Sequence, residues 1–92
     1  RVLNLCGNPI GDSAIRALSK AICQSRLEAA ELRTCAISDK GCSALAEMMT
    51  SSRLSHLDCS FNAFGEDGSK VLANAFKQGC RLRKFHFSHN TM

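Results

Sequence analysis

Leu27, Leu54 and Leu82 stand 27 and 28 residues apart, and each opens a copy of one pattern whose apolar period changes halfway through. The clearest copy runs from Leu54 to Phe76. Its first half, Leu54, Leu57, Cys59, Asn62 and Phe64, reads L-x-x-L-x-C-x-x-N-x-F, where the alternation of Leu57 and Cys59 suits a strand followed by a turn. From Gly68 the spacing is helical: Gly68, Val71, Leu72, Ala75 and Phe76 fall at i, i+3, i+4, i+7 and i+8, one face of a helix. The strand half recurs as Leu3, Leu5, Asn8 and Ile10, as Leu27, Ala30, Leu32, Cys35 and Ile37, and as Leu82, Phe85, Phe87 and Asn90. The helical half recurs as Ala14, Ala17, Leu18, Ala21 and Ile22 and as Gly41, Ala44, Leu45, Met48 and Met49. A repeat of this length predicts a solenoid, in which each unit buries its apolar face only against its neighbours. The expected divisions are residues 1–26, 27–53, 54–81 and 82–92, about 3.5 repeats in a single segment.

These residues resemble the leucine-rich repeat, in its ribonuclease-inhibitor-like class, over essentially the whole chain. The resemblance implies an α/β solenoid, a horseshoe segment with parallel strands on the concave side and α-helices on the convex side. Carried onto this sequence, strands are expected at Val2 to Leu5, Ala29 to Leu32, His56 to Cys59 and Lys84 to Phe87. Helices are expected at Asp12 to Cys23, Asp39 to Thr50 and Glu66 to Lys77.

Local chemistry supports the helices independently. Asp12, Asp39 and Glu66 recur at the helix starts, where the helix dipole favours negative charge, and Ser38 can cap the second. Ala14, Gly41 and Gly68 recur one turn in, and such small residues are expected to let each helix approach the strand layer closely. Asn8, Asn62 and Asn90 share one slot, filled by Cys35 in the second copy; an asparagine there can satisfy backbone groups of the loop leaving the strand and stack into a ladder from unit to unit. The sequence opens inside a strand pattern and stops in the loop after Asn90, and neither end carries the polar face of a capping repeat. Continuation into further repeats is therefore expected, with Leu3, Leu5, Phe85 and Phe87 on stacking faces.

At 92 residues the chain is one domain at most. It has no apolar run of membrane-spanning length and no signal-peptide pattern, so no membrane association is expected. Its six cysteines are scattered through strand, loop and helix slots rather than clustered, which favours free thiols in a reducing compartment, the cytoplasm. The net charge of +4 is local: residues 1–76 hold eight basic and eight acidic side chains, and the surplus comes from Lys77, Arg81, Arg83 and Lys84. A basic end of this kind is weak ground for nucleic-acid binding.

No catalytic constellation is present. G-x-S-x-G, H-E-x-x-H and the phosphate-cradling glycine loop are all absent from the sequence. Cys80, His86 and His89 come nearest to a metal site but lack the paired C-x-x-C knuckle of structural zinc. The chain is expected to be no enzyme and to hold no cofactor or metal.

The surface that can act is the concave one. Strand alternation turns Val2 and Asn4, Ala29 and Glu31, His56 and Asp58, and Lys84 and His86 outward. Cys6 and Gly7, Arg33 and Thr34, Ser60 and Phe61, and Ser88 and His89 occupy the next exposed slots. Asn4, Glu31, Asp58 and His86 then form one column with acids at its centre, a mixed polar face suited to a protein partner and hostile to phosphate. The partner-binding residues expected are Asn4, Glu31, Arg33, His56, Asp58, Phe61, Lys84 and His86, with Phe61 either facing solvent or folding over its loop onto Phe64. A second stripe, Arg26, Arg53 and Arg81, precedes the first leucine of each unit and is either solvated and locally paired or aimed at an acidic partner. The expected function is a protein-interaction scaffold in a larger protein: an assembly subunit, a cytoskeletal or axonemal component, or the sensing arm of a NOD-like receptor. The resemblance also admits a GTPase activator of the Ran activator type or a ribonuclease-inhibitor-like inhibitor.

Overall fold

The computed structural model describes residues 2–79 and 81–87. Strand β1 (Val2–Asn4) leads to helix α1 (Gly11–Cys23), β2 (Ala29–Glu31) to a 3-10 turn (Asp39–Gly41) and α2 (Cys42–Ser51), β3 (His56–Asp58) to α3 (Glu66–Lys77), and β4 (Lys84–His86) follows. The strands form one parallel sheet in the order β1-β2-β3-β4. Its register matches Val2 with Ala29, Ala29 with His56 and His56 with Lys84, so the sequence period is also the sheet period.

The boundaries differ from the sequence expectation at the strand ends and in the first two helices, the second of which runs one residue past Thr50 to Ser51. Each strand stops one residue earlier, before Leu5, Leu32, Cys59 and Phe87. In two units the last strand residue folds its side chain onto the chain ahead: Asn4 Oδ1 accepts from the Cys6 N–H at 3.0 Å and Asp58 Oδ1 from the Ser60 N–H at 3.1 Å, which bends the backbone out of the strand. The second helix begins as a 3-10 turn, with the Ser38 hydroxyl accepting from the Lys40 N–H as its cap. α3 keeps the predicted Glu66 to Lys77 limits, and α1 starts one residue earlier than expected.

The helices pack on the face reached by Leu3, Ala30, Leu57 and Phe85, leaving the other face of the sheet open. Ile15, Ile22, Leu32, Ile37, Leu45, Met48, Met49, Leu54, Leu57, Phe64 and Leu72 fill the core. Strands lie about 4.8 Å apart, whereas helices pack 8–10 Å apart, so stacking such units curves the assembly with the sheet inside. The helix faces are not interchangeable. α2, flanked on both sides, buries Cys42, Ala44, Leu45, Met48 and Met49. α1 buries Ile15, Ser19 and Ile22, the flank turned to α2, while Ala14, Ala17 and Ala21 are exposed. On α3, Val71 and Phe76 are likewise exposed.

Gly41 and Gly68, one turn into their helices, sit against the preceding unit, and Gly41 also against Ile37 of its own. A Cβ on Gly41 would meet Asp12 Oδ1 and Ile37 Cγ2 at 2.6 Å, and one on Gly68 would meet Asp39 Oδ1 and, at 2.7 Å, Cys42 Sγ. At each glycine the backbone of one helix start therefore lies against side chains of the preceding one. The acids at those starts also do more than face a dipole. Asp12 accepts from the Ser38 N–H at 2.8 Å and the Ser38 hydroxyl at 2.5 Å, and Asp39 Oδ1 accepts from the Gly65 and Gly68 N–H groups at 2.6 and 3.0 Å. Each carboxylate clamps the loop of the following unit with charge-assisted bonds. Serines close the other end: Ser25 Oγ donates to Ile22 O and accepts from Leu27 N–H, and Ser52 Oγ does the same with Met48 O and Leu54 N–H.

The asparagine slot forms the expected link between units. Asn62 Oδ1 accepts from the N–H groups of Cys35 and Ile37 at 2.9 and 3.1 Å, and its Nδ2 donates to Leu32 O and Cys59 O at 2.9 and 2.8 Å. Cys35 imitates half of this, its thiol donating to Leu5 O at 3.1 Å. Asn8 Nδ2 reaches Leu5 O at 3.0 Å, and Asn90 lies outside the described residues.

Cys6, Cys23, Cys35, Cys42 and Cys59 are free thiols, the last three buried. Burial pushes the Cys42 thiol up to about 12, helped by Asp39 and Asp12, and pushes Cys59 and Cys35 up as well. Native alkylation followed by mass spectrometry is expected to label Cys6 ahead of Cys35, Cys42 and Cys59, which stay untouched until the chain is denatured. Labelling of Cys42 as fast as Cys6 would contradict this. The same shifts set a pH dependence: the folded thiols hold protons that the unfolded chain releases, so their stabilisation is complete below the unfolded value of about 9 and is lost as pH rises toward 12. The thermal midpoint should fall across that window. No helix among the described residues is long and apolar enough to cross a membrane.

Candidate functional site

The open face of the sheet is built by alternation within three-residue strands. Leu3, Ala30, Leu57 and Phe85 point to the helices, so the residues on either side of each point away. Register then aligns them: Asn4 faces Glu31, Glu31 faces Asp58 and Asp58 faces His86, giving one polar column across four strands. The neighbouring column sets Val2, Ala29, His56 and Lys84 side by side. Asn4, Lys84 and His86 are exposed, while Glu31, His56 and Asp58 are partly covered by their neighbours.

Contacts across units tie the columns together. Arg33 Nε lies 3.6 Å from Asp58 Oδ2, and the His56 and His86 rings sit with centroids 5.8 Å apart. The Arg33 guanidinium is held further toward its charged form by a side-chain bond to Cys6, and then by the charge of Asp58. The contact with Cys6 is legible once the repeat is aligned, because residues 6 and 33 fill the same slot.

Above the columns the chain turns through the left-handed region at the same slot in the first three units: Gly7 at φ 81°, Thr34 at φ 56° and Phe61 at φ 60°. Glycine adopts this conformation freely, whereas a bulky residue there is a steric outlier costing about 1–2 kcal/mol. Phe61 is nonetheless 52% exposed, while Phe64 is fully buried. With Cys6, Gly7, Arg33 and Thr34, Phe61 lines a shallow depression of about 410 Å³ at the rim of the face. All eight residues singled out from the sequence, Asn4, Glu31, Arg33, His56, Asp58, Phe61, Lys84 and His86, lie on this face or its rim.

One expected slot is not exposed. Ser60 is buried, because its N–H turns in to Asp58 and its carbonyl accepts from Thr34 N–H and Asn62 Nδ2. Ser88 and His89 lie outside the described residues, as does Cys80. Among the described residues no group of three or more histidine, cysteine or carboxylate side chains could hold a metal ion. What the described part of the face offers chemically is paired acids, flanking cations, two imidazole rings and the phenyl ring of Phe61, a set suited to recognition.

The family model described as Leucine Rich repeat matches residues 1–19 and 31–46. The "NACHT, LRR and PYD domains-containing protein 1a allele 1" of Rattus norvegicus is 37% identical over 84 residues, covering 87% of this chain and 7% of the relative. The ribonuclease inhibitor of Sus scrofa is 36% identical over 86 residues, covering 89% of this chain and 19% of the relative. "NACHT, LRR and PYD domains-containing protein 5" of Homo sapiens is 35% identical over 86 residues, covering 89% of this chain and 7% of the relative. The chain thus spans less than a fifth of the length of each of these three.

Proposed function

This chain belongs to the leucine-rich repeat family, in its ribonuclease-inhibitor-like class, and from that premise we propose that it is a non-catalytic scaffold gripping another protein on the open face of its sheet. The observation that carries this reading is the bare parallel sheet. Parallel sheets are ordinarily covered on both faces, and here only one is covered, with Asn4, Glu31, Asp58 and His86 in register on the other. Such a mixed polar face favours a protein partner, since recognition there rests on hydrogen bonds and complementary charge. Arg33 and Lys84 add cations around the acids, His56 adds an imidazole, and Phe61 adds the aromatic anchor. Its left-handed backbone supports a role in contact, because a glycine would meet the same turn without strain.

The segment is read as about 3.5 repeats, residues 1–26, 27–53, 54–81 and 82–92, of a longer solenoid in a larger cytoplasmic protein. Relatives whose names join LRR to NACHT and PYD domains support an arm within a multidomain protein, a receptor's sensing arm ahead of an axonemal or other assembly subunit. A second reading, an inhibitor seating a ribonuclease on this face, is supported by relatives named ribonuclease inhibitors.

A photo-crosslinking residue placed at His56 in the intact protein is expected to trap the partner, and one at Lys70 on the helical side is not. Phe61→Ala should weaken that partner by more than about 1 kcal/mol, roughly fivefold or more in Kd, with the circular dichroism spectrum unchanged. Crosslinks from Lys70 alone, or an unchanged Kd, would sink the proposal. Stoichiometric loss of ribonuclease activity on titration would move the choice to the inhibitor reading.

A further inference from the structure

The edge at which the strands begin carries charge that the open face does not use. Arg53 and Arg81 precede the first leucine of adjacent units, and Arg83 lies two residues beyond Arg81. Main-chain bonds fix their arrangement: Ser55 N–H donates to Glu28 O at 2.8 Å and Arg83 N–H to Ser55 O at 2.7 Å, so Glu28, Ser55 and Arg83 form a row across three units. Arg53 and Arg81 form the row beside it. Together Glu28, Ser55, Arg53, Arg81 and Arg83 line a groove of about 500 Å³, and Arg26, the third member of the stripe in sequence, is not part of its lining.

All three arginines are exposed, and among the described residues none of them pairs with a carboxylate; the ion pairs there are Arg33 with Asp58 and Lys70 with Glu66. Adjacent parallel strands run about 4.8 Å apart, so arginines in equivalent places repel one another unless an anion lies between them. Three guanidinium groups against the carboxylate of Glu28 leave a surplus of two positive charges. Two neighbouring carboxylates of an extended peptide neutralise that surplus, and the planar fork of arginine matches a carboxylate in bidentate fashion. A nucleic acid strand fits less well: it needs a continuous basic track, and residues 1–76 balance eight basic against eight acidic side chains.

We infer that this groove is a docking site for an acidic peptide segment of a partner protein, with Arg53, Arg81 and Arg83 gripping two of its carboxylates. It is separate from the open face and serves a second contact, whichever protein the face itself binds. The test is fluorescence anisotropy on the intact protein with a fluorescein-labelled peptide containing four consecutive glutamates, against the same peptide with glutamines. The glutamate peptide is expected to bind and the glutamine peptide not to. Arg81→Gln and Arg83→Gln should each raise Kd about tenfold, and the double variant should abolish binding, whereas Lys20→Gln on α1 should change nothing. All three positions are exposed, and circular dichroism checks that the variants stay folded. The inference is overturned if the arginine variants bind like the parent, if the glutamine peptide binds equally well, or if a single-stranded oligonucleotide binds more tightly through the same arginines.

Discussion

Asn62→Leu is expected to cost about 3–5 kcal/mol, enough to unfold a substantial fraction of a chain this size at room temperature. The side chain is almost wholly buried and bonds the backbone in two units at once, accepting from Cys35 and Ile37 and donating to Leu32 and Cys59. A leucine of similar volume leaves those groups in the core without partners and without water. Each orphaned buried donor or acceptor costs about 1–3 kcal/mol, and these belong to one network, so the losses compound. Asn62→Cys should lose less, because Cys35 shows that a thiol in this slot still reaches the carbonyl of the preceding unit. Asn8→Ala, whose side chain is exposed and makes one bond to Leu5 O, should cost under about 1 kcal/mol. Urea denaturation followed by circular dichroism ranks the three. Asn62→Leu within about 1 kcal/mol of the parent would mean that the ladder is ornamental to stability.

Gly68→Val should be nearly as damaging, by about 3 kcal/mol, through sterics rather than lost polarity alone. Its first carbon would overlap Asp39 Oδ1 and stand 2.7 Å from Cys42 Sγ and 3.2 Å from Asp39 Cα. Asp39 cannot simply swing aside, because its carboxylate clamps the Gly65 and Gly68 N–H groups. Relief therefore requires moving one unit against the next, which breaks the clamp and opens the spacing of the helix layer. A double-mutant cycle separates the two contributions: Gly68→Ala should cost less in an Asp39→Ala background, where the obstructing carboxylate is gone. Equal costs in both backgrounds would show that the close approach of helix starts does not depend on Asp39. By contrast, a Cβ on Gly7 meets nothing within 4 Å, so Gly7→Ala should cost only the left-handed backbone term, about 1 kcal/mol.

Both predictions concern groups whose slots were visible in the sequence while their partners were not. Asn62 could be aligned with Asn8 and Asn90, and a ladder was the natural expectation. That it spans Leu32 to Cys59 depends on loop geometry that no period encodes. Asp12, Asp39 and Glu66 read as helix-start acids, which they are, yet Asp12 and Asp39 also clamp the unit that follows. Gly41 and Gly68 read as sites of close approach toward the strands, whereas Gly68 meets the preceding unit and Gly41 meets both that unit and Ile37 of its own. The candidate site was more legible. Alternation and period together placed Asn4, Glu31, Asp58 and His86 in one column, since in a parallel sheet of repeating units register follows from repeat length. Ser60 was misread because its burial is set by a turn and not by strand alternation. The edge groove was half visible: the stripe of Arg26, Arg53 and Arg81 stood out, but Arg83 joins it only through the row of main-chain bonds from Glu28.

By itself the sequence determined the architecture, because a 27- to 28-residue unit with a strand period followed by a helix period can bury its apolar residues only by stacking on copies of itself. It also determined which residues face outward on the sheet, since a side-chain period of two leaves no freedom once the core positions are known. Only the tertiary structure decided how the units are locked together and which arginines converge. Those contacts run between residues 25 to 30 positions apart, such as Asn62 with Ile37 and Leu32 and Asp12 with Ser38, through a few hydrogen bonds whose partners depend on a few ångströms of loop path. A hydrophobic period constrains faces, and it carries no record of distances that short.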